Sequence, residues 1–170
     1  MNAEQLRALQ APFKDKYRSD PASAVLTLKA QGALDPEDIV CRVHTPRGYK
    51  PAGLHPGAGG DAAQVLCAGD MLLEALVGCT GVTLKAVATA LGIPIRGGAI
   101  RVEGDMDFRG TLGVNKETPV GFQNIRLTVE LETDATPEQL DKLLQLTKRY
   151  CVVYQTLANP PQMTAEARRT

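Results

Sequence analysis

HPGAGGDAAQVLCAGDMLLEALVGCTGVTLKAVATAL, residues 55–91, reads as the end of a loop followed by one long helix, and the rest of the chain arranges itself around that helix. The segment from Thr45 to Asp61 is so dense in proline and glycine that a continuous helix or strand is excluded, and a long loop is expected there. From Ala62 to Leu91 the apolar spacing is helical. Leu72, Ala75, Leu76, Cys79, Val82, Thr83 and Ala86 share a stripe, with Asp70, Glu74 and Lys85 off it. Gly78 and Gly81 flank Cys79 and weaken the helix by up to ~1 kcal/mol each relative to alanine. Gly92-Ile93-Pro94 ends it.

Toward the amino terminus, Leu6, Leu9 and Phe13 predict a short amphipathic helix that stops before Asp20-Pro21, so residues 1–20 are read as an arm and 21–170 as one domain. Ser23–Ala30 and Ile39–His44 alternate as strands and form a candidate hairpin across Gly32, Asp35 and Pro36. Toward the carboxyl terminus, Ile100, Val102, Met106 and Phe108 alternate with Arg101, Glu103, Asp105, Asp107 and Arg109. Ile125, Leu127, Val129 and Leu131 alternate with Arg126, Thr128, Glu130 and Glu132. Two strands with one wet or ion-paired face follow. Thr136-Pro137-Glu138-Gln139 is a capping box with proline at the first helical position. The helix it opens carries Leu140, Leu143, Leu144, Thr147, Cys151 and Tyr154 on one stripe and ends at Asn159-Pro160-Pro161. Strands, helix, strands, helix is an α+β order with a largely antiparallel sheet.

Composition narrows the function classes. In 170 residues, 44% hydrophobic content with 22% charged content describes a globular chain, and 19 Lys+Arg balance 19 Asp+Glu. That balance removes the basic field of a general nucleic-acid binder. The first twenty residues are charged throughout, unlike a secretory signal, so a cytoplasmic protein is expected. Asp70, Glu74 and Lys85 interrupt the longest apolar region, which argues against a membrane span. Two histidines and four cysteines without ligand spacing argue against zinc, and GAGGD at 57–61 completes neither a P-loop nor a dinucleotide fingerprint. No metal and no bound organic cofactor is therefore expected. His55 could line a pocket mouth or stabilise its loop by a hydrogen bond; Cys41 and Cys67 read as packing residues.

Cys79 and Cys151 each lie on the apolar stripe of a predicted core helix, so the two could meet. Their separation is no CxxC motif, and residue chemistry alone favours two small buried hydrophobes. The local sequences carry more. The 55–91 stretch resembles the loop, long helix and first-cysteine region of the OsmC/Ohr family of thiol peroxidases, and RYCVVYQTL, residues 149–157, resembles its second-cysteine region.

That resemblance implies an OsmC-like fold: largely antiparallel sheets around two central helices in an intertwined homodimer, with active sites at the subunit interface. It implies a peroxide reductase acting on organic hydroperoxides, with Cys79 as attacking thiol, Cys151 as resolving thiol, and a dithiol reductant, a lipoyl protein or small thiol. An arginine in the loop after the first strand, held by a carboxylate near the start of the first-cysteine helix, activates the thiol in the hydroperoxide branch. The corresponding turn here, Ala30–Asp38, contains no arginine. Arg18 and Arg109 are the substitutes, and Asp70 and Glu74 the carboxylates. On a straight helix those two lie about 180° and about 140° around from Cys79, so neither shares its face. The rival reading is a non-enzymatic dimer of the same fold that binds an apolar small ligand and merely buries its thiols.

Overall fold

The computed structural model describes residues 2–25, 27, 32–34, 40–45, 48–61 and 65–169. The amino-terminal helix α1 spans Ala3–Ser19 and opens with a reciprocal capping box, the Asn2 side chain accepting from the Gln5 amide and the Gln5 side chain from the Asn2 amide. Pro21–Ala24 is a short 3-10 turn, where strand was expected from Ser23; Pro21 fixes a helical φ at its start. The remainder of that predicted strand lies mostly outside the described residues.

Four strands form the first sheet in sequence order: β1 (Gly32–Leu34), β2 (Val40–Thr45), β3 (Gly48–Gly53) and β4 (Leu66–Cys67). The hairpin exists, but its first arm is Gly32–Leu34, which pairs antiparallel with β2. The expected loop over 45–61 is also corrected, since β3 pairs with β2 along its whole length before the chain enters a turn at Pro56–Ala58. Gly48, with φ of 107°, takes the left-handed conformation that closes the tight return from β2. Pro51 is tolerated within β3 because its fixed φ lies in the extended range.

The long helix α2 spans Ala68–Leu91, starting later than expected because Leu66–Cys67 pair in parallel with β3. Cys67 caps it, its Sγ accepting the Gly69 N–H at 3.3 Å. Gly92, at φ 71°, ends it in the left-handed conformation. By length and composition α2 would suffice to cross a bilayer, the charges at Asp70, Glu74 and Lys85 notwithstanding. Here it is the central packing element. Its buried stripe is Leu76, Thr80, Leu84 and Ala88, rotated from the expected one. Leu72 and Val82, placed on the buried side from spacing, are 39% and 75% exposed.

A two-stranded antiparallel sheet of β5 (Gly97–Met106) and β6 (Phe122–Glu132) covers α2. Its outer face carries the crossed ion pairs that the alternation predicted, Arg126 with Asp105 and Glu103, and Arg101 with Glu130. Phe122 folds over Gly104, where a Cβ would stand 2.5 Å from the ring. Phe108 leaves the strand pattern. It begins the single turn α3 (Phe108–Thr111), which Asp107 caps by accepting the Arg109 N–H at 2.9 Å.

Helix α4 (Pro137–Tyr150) begins with the predicted Thr136–Gln139 capping box. Leu143 is buried against Leu84, Ala88 and Ile93, the apolar core of the domain. Leu144, expected on the buried stripe, is 40% exposed. The helix does not run on through Tyr154. It stops at Cys151 and restarts as α5 (Val152–Ala158).

A candidate thiol pair at a helix junction

Cys151 has non-helical backbone angles, φ −74° and ψ 109°, and serves two helices at once. Its N–H donates to the Thr147 carbonyl at 2.9 Å, ending α4, while its Sγ accepts the Tyr154 N–H at 3.5 Å, opening α5. The β-branched Val152 and Val153 follow directly, residues that favour extended backbone nearby over a continuous helix. Cys151, Thr80 and Thr147 are each at 0% exposure, although Tyr150 and Val152 on either side of Cys151 are exposed. Across the junction, Thr80 Oγ1 lies 3.8 Å from Cys151 Sγ.

Cys79, one position before Thr80 on α2, is half-buried, and groups of the same junction act on its thiol. Burial pushes its thiol up, but this is outweighed by the N–H of Val153, the Cys151 thiol, the N–H of Val152 and the Thr83 hydroxyl, so the net shift is downward. Cys151 moves the opposite way. Burial raises it, the Tyr154 N–H opposes that, and the interaction with Cys79 raises it further, against a smaller lowering by Thr80. The pair is therefore polarised, with the Cys79 thiol shifted toward ionisation and the Cys151 thiol away from it. Both are free thiols.

The other predicted site residues lie elsewhere in the chain. Arg18 is bonded to Asp15 at 2.8 Å on exposed α1. Arg109 is held by Asp107 at 2.6 Å on α3. Among the described residues, no lysine or arginine acts on Cys79. Asp70 and Glu74 are exposed on α2, and neither forms an ion pair with a described residue. Asp70 lines a cavity of about 200 Å³ with His55, Cys67, Leu73, Phe108 and Phe122, apart from both Cys79 and Cys151. His55 takes both expected parts there, lining that cavity while its Nδ1 accepts the Gly57 N–H at 2.9 Å. A second cavity, of about 280 Å³, is bounded by Leu76, Phe122, Ile125, Tyr154 and Leu157, and thus shares α2 and α5 with the thiol junction. No cluster of His, Cys, Asp or Glu suited to a metal ion occurs among the described residues.

The groups around Cys79 that sequence reading passed over are the amides of Val152 and Val153 and the hydroxyl of Thr83. Thr83 could have been found from its i+4 spacing to Cys79. The amides could not, because a cysteine is not among the usual helix caps and the break at Cys151 has no proline or glycine to announce it.

The model of the OsmC-like protein family matches residues 62–166 and so takes in α2, the β5–β6 sheet and the thiol junction. This chain belongs to the OsmC-like family. Solved structures agree with that fold. An OsmC-like protein from Mycoplasma pneumoniae superposes with a TM-score of 0.65 at 18% identity, over 79% of this chain and 89% of that one. An OsmC-like protein of unknown function from Vibrio cholerae gives 0.61 at 13% identity, over 78% and 94%. The organic hydroperoxide resistance protein OhrB of Bacillus subtilis gives 0.51 at 17% identity, over 79% and 93%. Comparison with curated proteins finds no sequence match.

Proposed function

We propose that this OsmC-like protein is a thiol-dependent peroxide reductase acting on organic hydroperoxides in the cytoplasm, as a homodimer. The observation that carries the reading is the polarity of the thiol pair, a depressed Cys79 beside a raised, buried Cys151. The Cys79 thiolate attacks the terminal oxygen of the hydroperoxide. The O–O bond breaks, the alkoxide leaves and takes a proton to become the alcohol, and Cys79 becomes a sulfenic acid. Cys151 sulfur then attacks Cys79 sulfur. The S–S bond forms, the S–O bond breaks, and the hydroxyl departs as water with the proton from Cys151. A dithiol reductant, a lipoyl protein or small thiol, returns the disulfide to two thiols and is itself oxidised to a disulfide. In this scheme the α5 amides replace the activating arginine, since oriented N–H donors stabilise a thiolate as a nearby cation does.

A fold shared with an organic hydroperoxide resistance protein supports the substrate class, as does the uncharged cavity next to α5. Exposed apolar Leu72 and Val82 on α2 support a second copy of the chain against this helix. Stopped-flow mixing of the reduced protein with cumene hydroperoxide tests the scheme: one thiol should be lost rapidly, and Cys79→Ser should abolish the loss. A Cys79→Ser protein that still consumes peroxide overturns it.

A second reading is a dimer that binds an apolar small ligand and buries its thiols without using them. The commitment of Arg18 and Arg109 to neighbouring carboxylates favours it. Mass spectrometry after stoichiometric peroxide separates the two, since unreacted Cys79 and Cys151 would leave the binder.

A further inference from the structure

We propose that Thr80 is a positioning residue for the second step, its hydroxyl donating to Cys151 Sγ and holding that sulfur ready to close the disulfide with Cys79. The inference rests on the reaction proposed above. Its basis is how a buried hydroxyl is spent. A threonine within a helix commonly bonds back to the carbonyl four residues earlier. Thr89 of α2 does so, reaching the Lys85 carbonyl at 2.7 Å. Thr80, three turns into the same helix and wholly buried, has Cys151 Sγ as its recorded side-chain partner instead, at 3.8 Å.

Direction follows from proton counting. At 3.8 Å either atom of the pair can donate while Cys151 holds its proton, but once Cys151 gives that proton up to attack, its sulfur can only accept and the threonine is the donor. The same sulfur also accepts the Tyr154 N–H at 3.5 Å. Two donors therefore face a fully buried thiol, on which, among the described residues, Cys79, Thr80 and the Tyr154 amide act. These donors matter little while Cys151 is protonated. They matter when it attacks, because the sulfur then gives up its proton in a site where charge is otherwise expensive. Thr80 supplies one of the two and cannot swing away, being fully enclosed between α2 and the α4–α5 junction.

The test separates the two steps of the reaction. Thr80→Val keeps the shape and removes the hydroxyl. After the reduced protein is mixed with cumene hydroperoxide, Cys79–Cys151 disulfide should form about tenfold more slowly, the loss expected for one hydrogen bond to a developing charge. Its pH midpoint should move upward, while oxidation of Cys79, read as the first thiol loss, is the internal reference. Thr80→Ser, which restores the donor, should bring closure back to within about twofold of the original rate. Thr80→Ala provides the same comparison with serine at a smaller side chain should valine fail to fold. Diamide, which forms an adduct on the first thiol that the second displaces as hydrazine, repeats the measurement without peroxide. A peroxide-inert protein would sink the proposed function, yet diamide closure would still report on Thr80. Unchanged closure rate and pH midpoint in Thr80→Val, or a Thr80→Ser protein as slow as Thr80→Ala, would overturn the assignment.

Discussion

Cys79 and Cys151 shift in opposite directions, the Cys79 thiol downward and the Cys151 thiol upward. A symmetric pair of buried thiols would both be raised. The asymmetry comes from the break between α4 and α5, which turns the first amides of α5 toward Cys79.

Alkylation should read that asymmetry directly. Because only the thiolate reacts, the rate of Cys79 modification by iodoacetamide rises with pH and reaches its midpoint below the ordinary thiol value of about 8.5. Cys151→Ser, which still donates, should leave that midpoint nearly in place. Cys151→Ala removes the interacting thiol and should raise it. A midpoint at or above the ordinary value in the unaltered protein would contradict the polarity.

Thr147 Oγ1 is buried and has no hydrogen-bond partner among the described residues. Leaving a buried hydroxyl unpaired costs about 1–3 kcal/mol, so Thr147→Val, with nearly the same shape, should stabilise the protein by about 1 kcal/mol. The urea midpoint should rise at constant slope. A fall would mean that the hydroxyl is satisfied in solution.

Leu143, 1% exposed, joins α4 to Leu84, Ala88 and Ile93. Leu143→Ala should cost about 2–5 kcal/mol through lost burial and a residual cavity. Since α4 carries the junction, the same variant should also slow Cys79–Cys151 disulfide formation. Chemical denaturation and thiol counting after oxidation measure the two effects on one sample.

Val82 projects from α2 at 75% exposure, with Leu72 nearly three turns earlier at 39%. If a second copy covers this face, sedimentation at micromolar concentration should give one species of twice the chain mass. Val82→Arg should weaken that association at least about tenfold, the scale of burying an unpaired charge. A single 18.2 kDa species in the unaltered protein would exclude the homodimer.

Much of the architecture was legible in the residues because strong local signals agreed with the packing. The alternation around Val102 and Val129 placed β5 and β6, and Thr136 to Gln139 placed the start of α4. Contrasting cases have specific causes. Pro51 argued for a loop where pairing with β2 won, and Leu66–Cys67 were assigned to helix because periodicity cannot see a two-residue strand. On α2 the apolar residues are too numerous to define one face, so the stripe read from spacing was rotated from the one the core uses. The meeting of Cys79 with Cys151 followed from two apolar stripes, whereas the groups that polarise them are amides and hydroxyls, which periodicity does not reveal.

The β5–β6 sheet has a further consequence. Among the described residues it holds two strands, of ten and eleven residues, and each keeps one lateral edge without a neighbour. Such long bare edges are templates for adding further strands from any passing chain, and charges such as those of Arg101 and Arg126 deter that only on one face. Damage to whatever shields these edges should therefore surface first as turbidity and fibrillar precipitate on storage, before any loss of helix is detectable.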